Sequence, residues 1–376
     1  MRFSDSESRP LFWRLVLIAF IVGGVYAIYV RAASGLGSAT MLDDQFTWGF
    51  VVGLNVLCGL SIAVGGFTSA AAVRLLKLEI FQPIYRAAVI TAFLGYLLAL
   101  PALLFDLGAT GRAWAILLGG WSTRHVLSGA LWCLGLYAAV LLAEFVPVIF
   151  PQVTRRASSK WIRLVPSPLL LAAATLSMVH LYSLVRVMLS APGRRSPLWQ
   201  TEYLPVLFFL SGIWAFLALL VFISWHTGRV LGKRFSTELQ QEIGKVMAVL
   251  LTVYLVVRLA DLGQRGVLPI LLKDNLATVL LGVELSLILL PTVLLFRSAI
   301  RRDTEALYAC SALAIAGFIA NQLNVTITSV EVELGIRYVP KWSEVLFSYS
   351  LIAVGVALMY LMVKHLPVFD SDTIQG

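Results

Sequence analysis

The chain has 376 residues, 59% hydrophobic and 13% charged, against roughly 45–50% apolar and 25% charged for an ordinary soluble domain. That excludes a soluble globular enzyme, because the apolar residues gather into stretches of about 20, the length that crosses a hydrocarbon core of about 30 Å as a helix. Its 29 Lys and Arg against 20 Asp and Glu, a formal +9, sit in short loops between those stretches, where they set membrane orientation, so no nucleic-acid partner is expected.

Ten spans follow in chain order, at 11–31, 48–73, 84–105, 126–147, 166–189, 203–225, 243–262, 276–297, 305–325 and 345–365. The fold expected is an all-α integral membrane protein of ten transmembrane helices. The first span is too long and too lightly flanked for a cleavable signal peptide, and no small-x-small cleavage site precedes Val30-Arg31, so it reads as a retained helix. The second carries Asn55 in its outer half and a run of small residues, Gly59, Ser61, Ala63, Gly65, Gly66, Ser69 and Ala70, that makes one side close-packing. The third ends Leu104-Phe105-Asp106-Leu107-Gly108 and the seventh Leu259-Ala260-Asp261-Leu262-Gly263, followed by Arg112 and Arg265. This echo, four spans apart, points to two related four-helix bundles, spans 2–5 and 6–9, with spans 1 and 10 peripheral; a chance match is the competing reading. The division expected is 1–47 for the first helix and outer loop, 48–190 and 191–325 for the bundles, and 326–376 for an outer loop, the last helix and a tail.

Lys and Arg are more numerous in the loops on the side of the two termini, which places both termini in the cytoplasm; the membrane expected is the bacterial inner one. The opposite loops, 108–125, 191–202 and 326–344, are longer and carry Trp114, Trp121, Trp199 and Trp342. A partner is expected to dock there.

Few polar residues lie within the spans. Asp106 and Asp261 sit at helix C-termini, where the partial negative charge disfavours a carboxylate, so each must be paired, solvated or useful. Asp261 has Arg258 three residues earlier on the same face. Asp106 has no local cation, which leaves Arg112, Arg124 and Arg258 as partners; the plainer reading makes both aspartates interface residues beside a glycine stop. His180, in the fifth span with Ser183 one turn on, can hydrogen-bond the carbonyl of a lipophilic quinone and exchange protons near neutral pH, or be a neutral histidine satisfied by a neighbouring helix. Asn55 reads equally as interhelical packing glue. Glu284, mid-way through the eighth span, is the deepest carboxylate and reads as a proton relay or a buried hydrogen-bond acceptor.

Cofactor ligands are sparse. Cys58, Cys133 and Cys310 form no CxxC pair, so neither an iron-sulfur motif nor a disulfide framework is present. A b-type haem needs two axial histidines at one depth on facing helices; His226 and His365 lie at cytoplasmic ends and His125 at a loop end beside His180's side of the membrane, so no haem is expected. No metal motif, phosphate loop or hydrolase triad is visible.

Trp48-Gly49 with Asn55, Cys58 and Gly65-Gly66-Phe67, Thr91 to Tyr96, Phe105-Asp106-Leu-Gly108, Cys133, Ala143-Glu144-Phe145, His180 with Ser183, Pro197-Leu-Trp199-Gln200, Arg258, Glu284 and Pro340-Lys-Trp342-Ser-Glu344 together resemble the NrfD/polysulfide reductase membrane-subunit superfamily. Within it they resemble the ten-helix HybB-like branch, over nearly the whole chain. The resemblance implies a quinone-reactive subunit of a respiratory oxidoreductase, with menaquinone or ubiquinone as substrate and no haem or iron-sulfur cluster of its own. Electrons would be exchanged with an extracytoplasmic iron-sulfur or multihaem cytochrome subunit, in a complex that can include a hydrogenase. His180 and Asp106 become the catalytic candidates, and Asn55, Asp106, His180 and Ser183 the quinone site, in the first bundle. His125, Arg258, Asp261 and Glu284 are expected to serve a proton pathway or supply supporting charge. Two positions depart from the branch, since Gly129 and Asn55 stand where relatives carry acids; both bear on proton coupling more than on quinone binding. The alternatives are a catalytically silent anchor and, last, a secondary transporter, for which no matching pair of Gly/Pro-broken spans is present.

Overall fold

A computed structural model describes residues 5–108, 126–150, 166–190, 195–272, 276–366 and 368–369. The long helices are α1 (Asp5–Ser34), α2 (Val52–Leu75), α3 (Ile84–Asp106), α4 (Val126–Ile149), α5 (Pro166–Ser190), α6 (Leu204–Leu231), α7 (Thr237–Gln264), α8 (Leu276–Leu295), α9 (Thr304–Leu334) and α10 (Trp342–His365). Among the described residues nine are long and apolar enough to cross a membrane; the described apolar part of α5, Ala174–Ser190, is shorter than that. The protein is an all-α integral membrane protein.

Helices α2, α3, α4 and α5 close one ring, each against the next and α5 back on α2; α6, α7, α8 and α9 close a second in the same way. The rings meet along α2 and α6, while α1 and α10 pair outside and touch the first ring through α3. Small residues set these contacts. A Cβ on Gly65 would lie 2.0 Å from the Gly212 carbonyl oxygen, and one on Gly212 would lie 2.3 Å from that of Ser61, so α2 and α6 meet backbone to backbone. In lipid, where no hydrophobic gain drives helices together, such close approach is what holds them. Of the small residues read from the second span, Ser61 and Gly65 form this seam between the bundles, whereas a Cβ on Gly59 would meet the Gly95 carbonyl oxygen of α3 at 2.7 Å.

Two of the helices contain a π-helical turn, Val52–Leu57 at the start of α2 and Asn324–Thr328 within α9. The turns face one another, and a Cβ on Gly53 would meet Thr326 Oγ1 at 2.5 Å. Each turn frees backbone groups from the regular ladder and carries a buried asparagine, Asn55 or Asn324.

Hydrogen bonds define the two ends of the molecule. At the loop end, Lys341 Nζ donates to the Gly37 carbonyl at 2.5 Å and Ser196 N to that of Ser329 at 2.7 Å. At the terminal end, Lys233 Nζ donates to the Val363 carbonyl at 2.7 Å, and the Phe235 and Phe369 rings meet edge-on at 4.6 Å.

Candidate functional site

The buried side of α5 carries Ser177, His180, Leu181, Leu184, Val185 and Met188, a spacing of three and four that turns one stripe inward. His180 is 1% exposed, and among the described residues neither ring nitrogen has a hydrogen-bond partner. The Tyr137 ring of α4 stacks on it at 5.4 Å and 23°, and the Tyr96 ring of α3 lies 6.2 Å away. Both phenols are spent on backbone: Tyr137 donates to the Ala63 carbonyl of α2 at 3.2 Å, and Tyr96 to that of Leu134. All four helices thus fix the surroundings of the imidazole while its nitrogens stay open, an arrangement that costs about 1–3 kcal/mol per unsatisfied group and calls for a reason. Ser183 is half-buried and turned elsewhere, donating to the Val179 carbonyl at 2.8 Å with Cys133 Sγ 3.9 Å away.

Asp106 and Asn55 belong to a second group, at the loop end. Both Asp106 carboxylate oxygens are buried; they face the Val52 N–H, Arg31 and the Glu344 carboxylate, yet neither completes a hydrogen bond among the described residues. Arg31 of α1 instead caps α3, with Nε on the Phe105 carbonyl at 2.9 Å and Nη2 on that of Leu107 at 3.0 Å. Of the expected partners, Arg112 and Arg124 lie outside the described residues, as does His125, and Arg258 stands in the other bundle. Asn55 donates to the Ser348 carbonyl of α10 at 3.1 Å, with its own carbonyl oxygen unpartnered. Glu344 accepts from the Tyr338 phenol, from Lys341 N at 2.8 Å and from Met41 N at 3.1 Å. Burial first, and then the Glu344 carboxylate, push the Tyr338 phenol above its ordinary pKa. Tyr96 precedes Asp106 by ten residues on α3, about 15 Å along the axis, so the His180 and Asp106 groups are not in contact.

The third group fills the loop end of the second bundle. Glu284, fully buried, accepts from Trp199 Nε1 at 3.0 Å, Asn321 Nδ2 at 2.8 Å and Asn324 Nδ2 at 2.8 Å. Asp261 accepts from Thr201 Oγ1 at 2.6 Å and from Arg265 at 2.9 and 2.6 Å. Arg258 lies between them, its nitrogens 3.8 Å from Asp261 and 4.0 Å from Glu284. The expected Arg258–Asp261 pair is therefore the looser one, and Arg265 holds the aspartate. Arg265 also reaches the Gln200 carbonyl at 3.0 Å, so this charge cluster pins the 195–203 segment that joins the bundles.

Sequence reasoning missed Arg31, Tyr137, Tyr338, Asn321 and Asn324 as members of these groups. A tyrosine or asparagine within a span is the signal that could have found Tyr137, Asn321 and Asn324; nothing local marks Tyr338, in the loop before α10, or Arg31, whose partners are more than 70 residues away.

No family model matches the chain. It is 26% identical over 370 residues, 96% of its length and 92% of the relative's, to a probable Ni/Fe-hydrogenase 2 b-type cytochrome subunit of Escherichia coli. It is also 26% identical over 402 residues, 98% of its length and 94% of the relative's, to the integral membrane subunit of menaquinone reductase of Nitratidesulfovibrio vulgaris. Both likenesses, at 26% identity over nearly the full length, agree with the resemblance to NrfD/HybB-like proteins read from the sequence. By their names, one relative is a subunit of a hydrogenase and the other the integral membrane subunit of menaquinone reductase. One of them bears the name of a b-type cytochrome, so haem needs testing against the residues present. Among the described histidines only His180 lies in a bundle interior, while His226 and His365 sit at the terminal ends of α6 and α10; His125, the candidate for its axial partner, lies outside the described residues. Among the described residues no three His, Cys, Asp or Glu gather as metal ligands.

Proposed function

We propose that the chain is the quinone-reactive integral membrane subunit of a respiratory oxidoreductase, working only within its complex. It exchanges electrons between an extracytoplasmic iron-sulfur or multihaem cytochrome subunit and menaquinone or ubiquinone in the membrane. The observation that carries this reading is His180: a buried imidazole, both nitrogens open, framed by two tyrosine rings whose hydroxyls are already committed. The name of the menaquinone reductase relative supports quinone as the substrate class, and that of the hydrogenase relative supports a catalytic partner of that kind.

Reducing a quinone takes two electrons and two protons. The electrons come one at a time from the partner, since the chain is proposed to hold neither haem nor cluster. His180 hydrogen-bonds a quinone carbonyl oxygen and transfers protons to it, in the first bundle (48–190), with Tyr137 holding the plane of the imidazole. Asp106, about 15 Å nearer the loop end, handles protons there with Asn55 and Glu344 beside it, and Ser183 lines the approach along α5. Arg258, Asp261 and Glu284 of the second bundle (191–325), with His125, supply charge or a proton route. Both termini are cytoplasmic and the membrane is the bacterial inner one, which puts the loop end on the partner's side.

The test is quinone turnover in the purified complex together with titration by a quinone analogue. His180→Ala is expected to lower turnover about 100-fold or more with the complex still assembled, and Asp106→Asn to lower it less. Unchanged turnover in both would overturn the residue assignment. The lack of any saturable analogue site in the wild type would make the chain an anchor.

A further inference from the structure

Between α7 and α8 runs a groove of about 370 Å³, walled by Thr252, Val256 and Leu259 on one side and Leu285, Thr292 and Phe296 on the other. Its two hydroxyls are turned onto their own helices, Thr252 to the Ala248 carbonyl and Thr292 to that of Ile288, each at 2.7 Å. The walls therefore offer no open donor or acceptor, and a quinone ring or other polar head placed there would lose its hydrogen bonds to water without replacement. A hydrocarbon chain would lose none.

The length of the groove is informative as well. Along α8 it follows Leu285 to Phe296, about 16 Å at 1.5 Å per residue. That is about half of a hydrocarbon core of roughly 30 Å, the depth of one leaflet. Its wall ends at Phe296, and the next residue is the exposed Arg297. The stem of Arg301 lies against α7, where a Cβ on Gly244 would meet its Cγ at 3.3 Å, next to the exposed Lys245. Arg302 is exposed too. Against these four cations stand two acids, Glu242, which holds Lys245 at 2.5 Å, and Asp303, whose carboxylate caps the start of α9. A surplus of positive charge remains at the mouth.

We infer that the groove and its arginine rim bind one anionic glycerophospholipid from the leaflet at the terminal end, an acyl chain in the groove and the phosphate on Arg297 and Arg301. The site is independent of the quinone reading, being in the other bundle and at the other end.

The test uses the complex, delipidated in detergent and titrated with dioleoyl phosphatidylglycerol or dioleoyl phosphatidylcholine, with retained lipid counted by native mass spectrometry. Wild type should hold one phosphatidylglycerol at about 30-fold lower concentration than phosphatidylcholine, about fivefold for each arginine. Arg297→Gln should remove about fivefold of that preference, and it is read alone because Arg301 also caps the Leu295 carbonyl. Leu289→Trp, which fills the groove from a lipid-exposed position, should reduce retention of both lipids. Equal retention of the two lipids by wild type, no effect of Leu289→Trp, displacement of the lipid by a quinone analogue, or a dimer of this chain that Leu289→Trp dissociates would each overturn the inference.

Discussion

The two four-helix rings share one plan but treat their buried carboxylates and histidine differently. In the second, Glu284 and Asp261 each accept three hydrogen bonds, and the cluster they form fastens the 195–203 segment, although Arg258 Nε and Nη2, the Tyr254 phenol and the Gln322 amide stay unpartnered there among the described residues. In the first, His180 and Asp106 are just as inaccessible at their polar atoms, yet none of those atoms is partnered among the described residues. Saturated groups hold a structure together, whereas unsatisfied ones lower its stability and persist where something else uses them. On the proposed function this difference is what keeps the first bundle open for a ligand, and it can be broken by measuring stability and turnover on matched substitutions.

The largest effect is expected at Glu284. Glu284→Leu leaves Arg258, Trp199, Asn321 and Asn324 buried without their acceptor, which should cost about 3–5 kcal/mol and appear as a lowered unfolding midpoint in detergent or as failed assembly. His180→Leu removes an unpartnered imidazole and should change stability by under about 1 kcal/mol while turnover collapses. Equal destabilisation by the two would mean that His180 has a partner and that the bundles do not differ in this way.

The aspartates at matching helix ends come next. Asp261→Asn weakens a twofold contact with Arg265 and leaves Arg258 less well balanced, for an expected loss of about 2–3 kcal/mol. Asp106→Asn removes a carboxylate that completes no hydrogen bond, and stability should hold or rise slightly. Thermal unfolding of both variants in one detergent checks the pair; a loss at Asp106 as large as that at Asp261 would contradict the contrast.

The parts of this arrangement differed in how well the sequence revealed them. The spans are legible because a run of some 20 apolar residues has few uses other than crossing a bilayer. The close packing of α2 is legible in its glycines, but the sequence does not say which neighbour each one meets: Gly65 faces α6 and Gly59 faces α3. The echo around Asp106 and Asp261 located two helix ends, and the sequence supplies a local cation to Asp261 alone, but it did not reveal which cations the structure brings to each. Arg265 lies four residues beyond Asp261, within one helical turn, whereas the cation beside Asp106 arrives from α1, outside the repeat. The π turns left no mark either: Gly53, the asparagines and the β-branched residues of Val52–Leu57 and Asn324–Thr328 lower helix propensity without distinguishing a π turn from an α-helical one, and the two turns meet only in the fold. Tertiary partners more than 70 residues away, such as Phe105 for Arg31 and Ser348 for Asn55, have no periodicity to betray them.

Arg31 provides the smallest and most discriminating test. Its guanidinium lies near the Asp106 carboxylate, but its hydrogen bonds go to the Phe105 and Leu107 carbonyls, so it caps the negative end of α3 in place of neutralising the aspartate. Arg31→Gln should therefore cost about 1 kcal/mol, the worth of a helix cap with partial charge. In the double variant with Asp106→Asn the two changes should add, because they break different contacts. If Arg31 were the counter-ion of Asp106, the double variant would recover most of the loss caused by Arg31→Gln. A double-mutant cycle of unfolding free energies separates the two cases: a coupling near zero leaves Asp106 as an open carboxyl, and a coupling above about 1 kcal/mol makes it one half of an ion pair, as Asp261 already is.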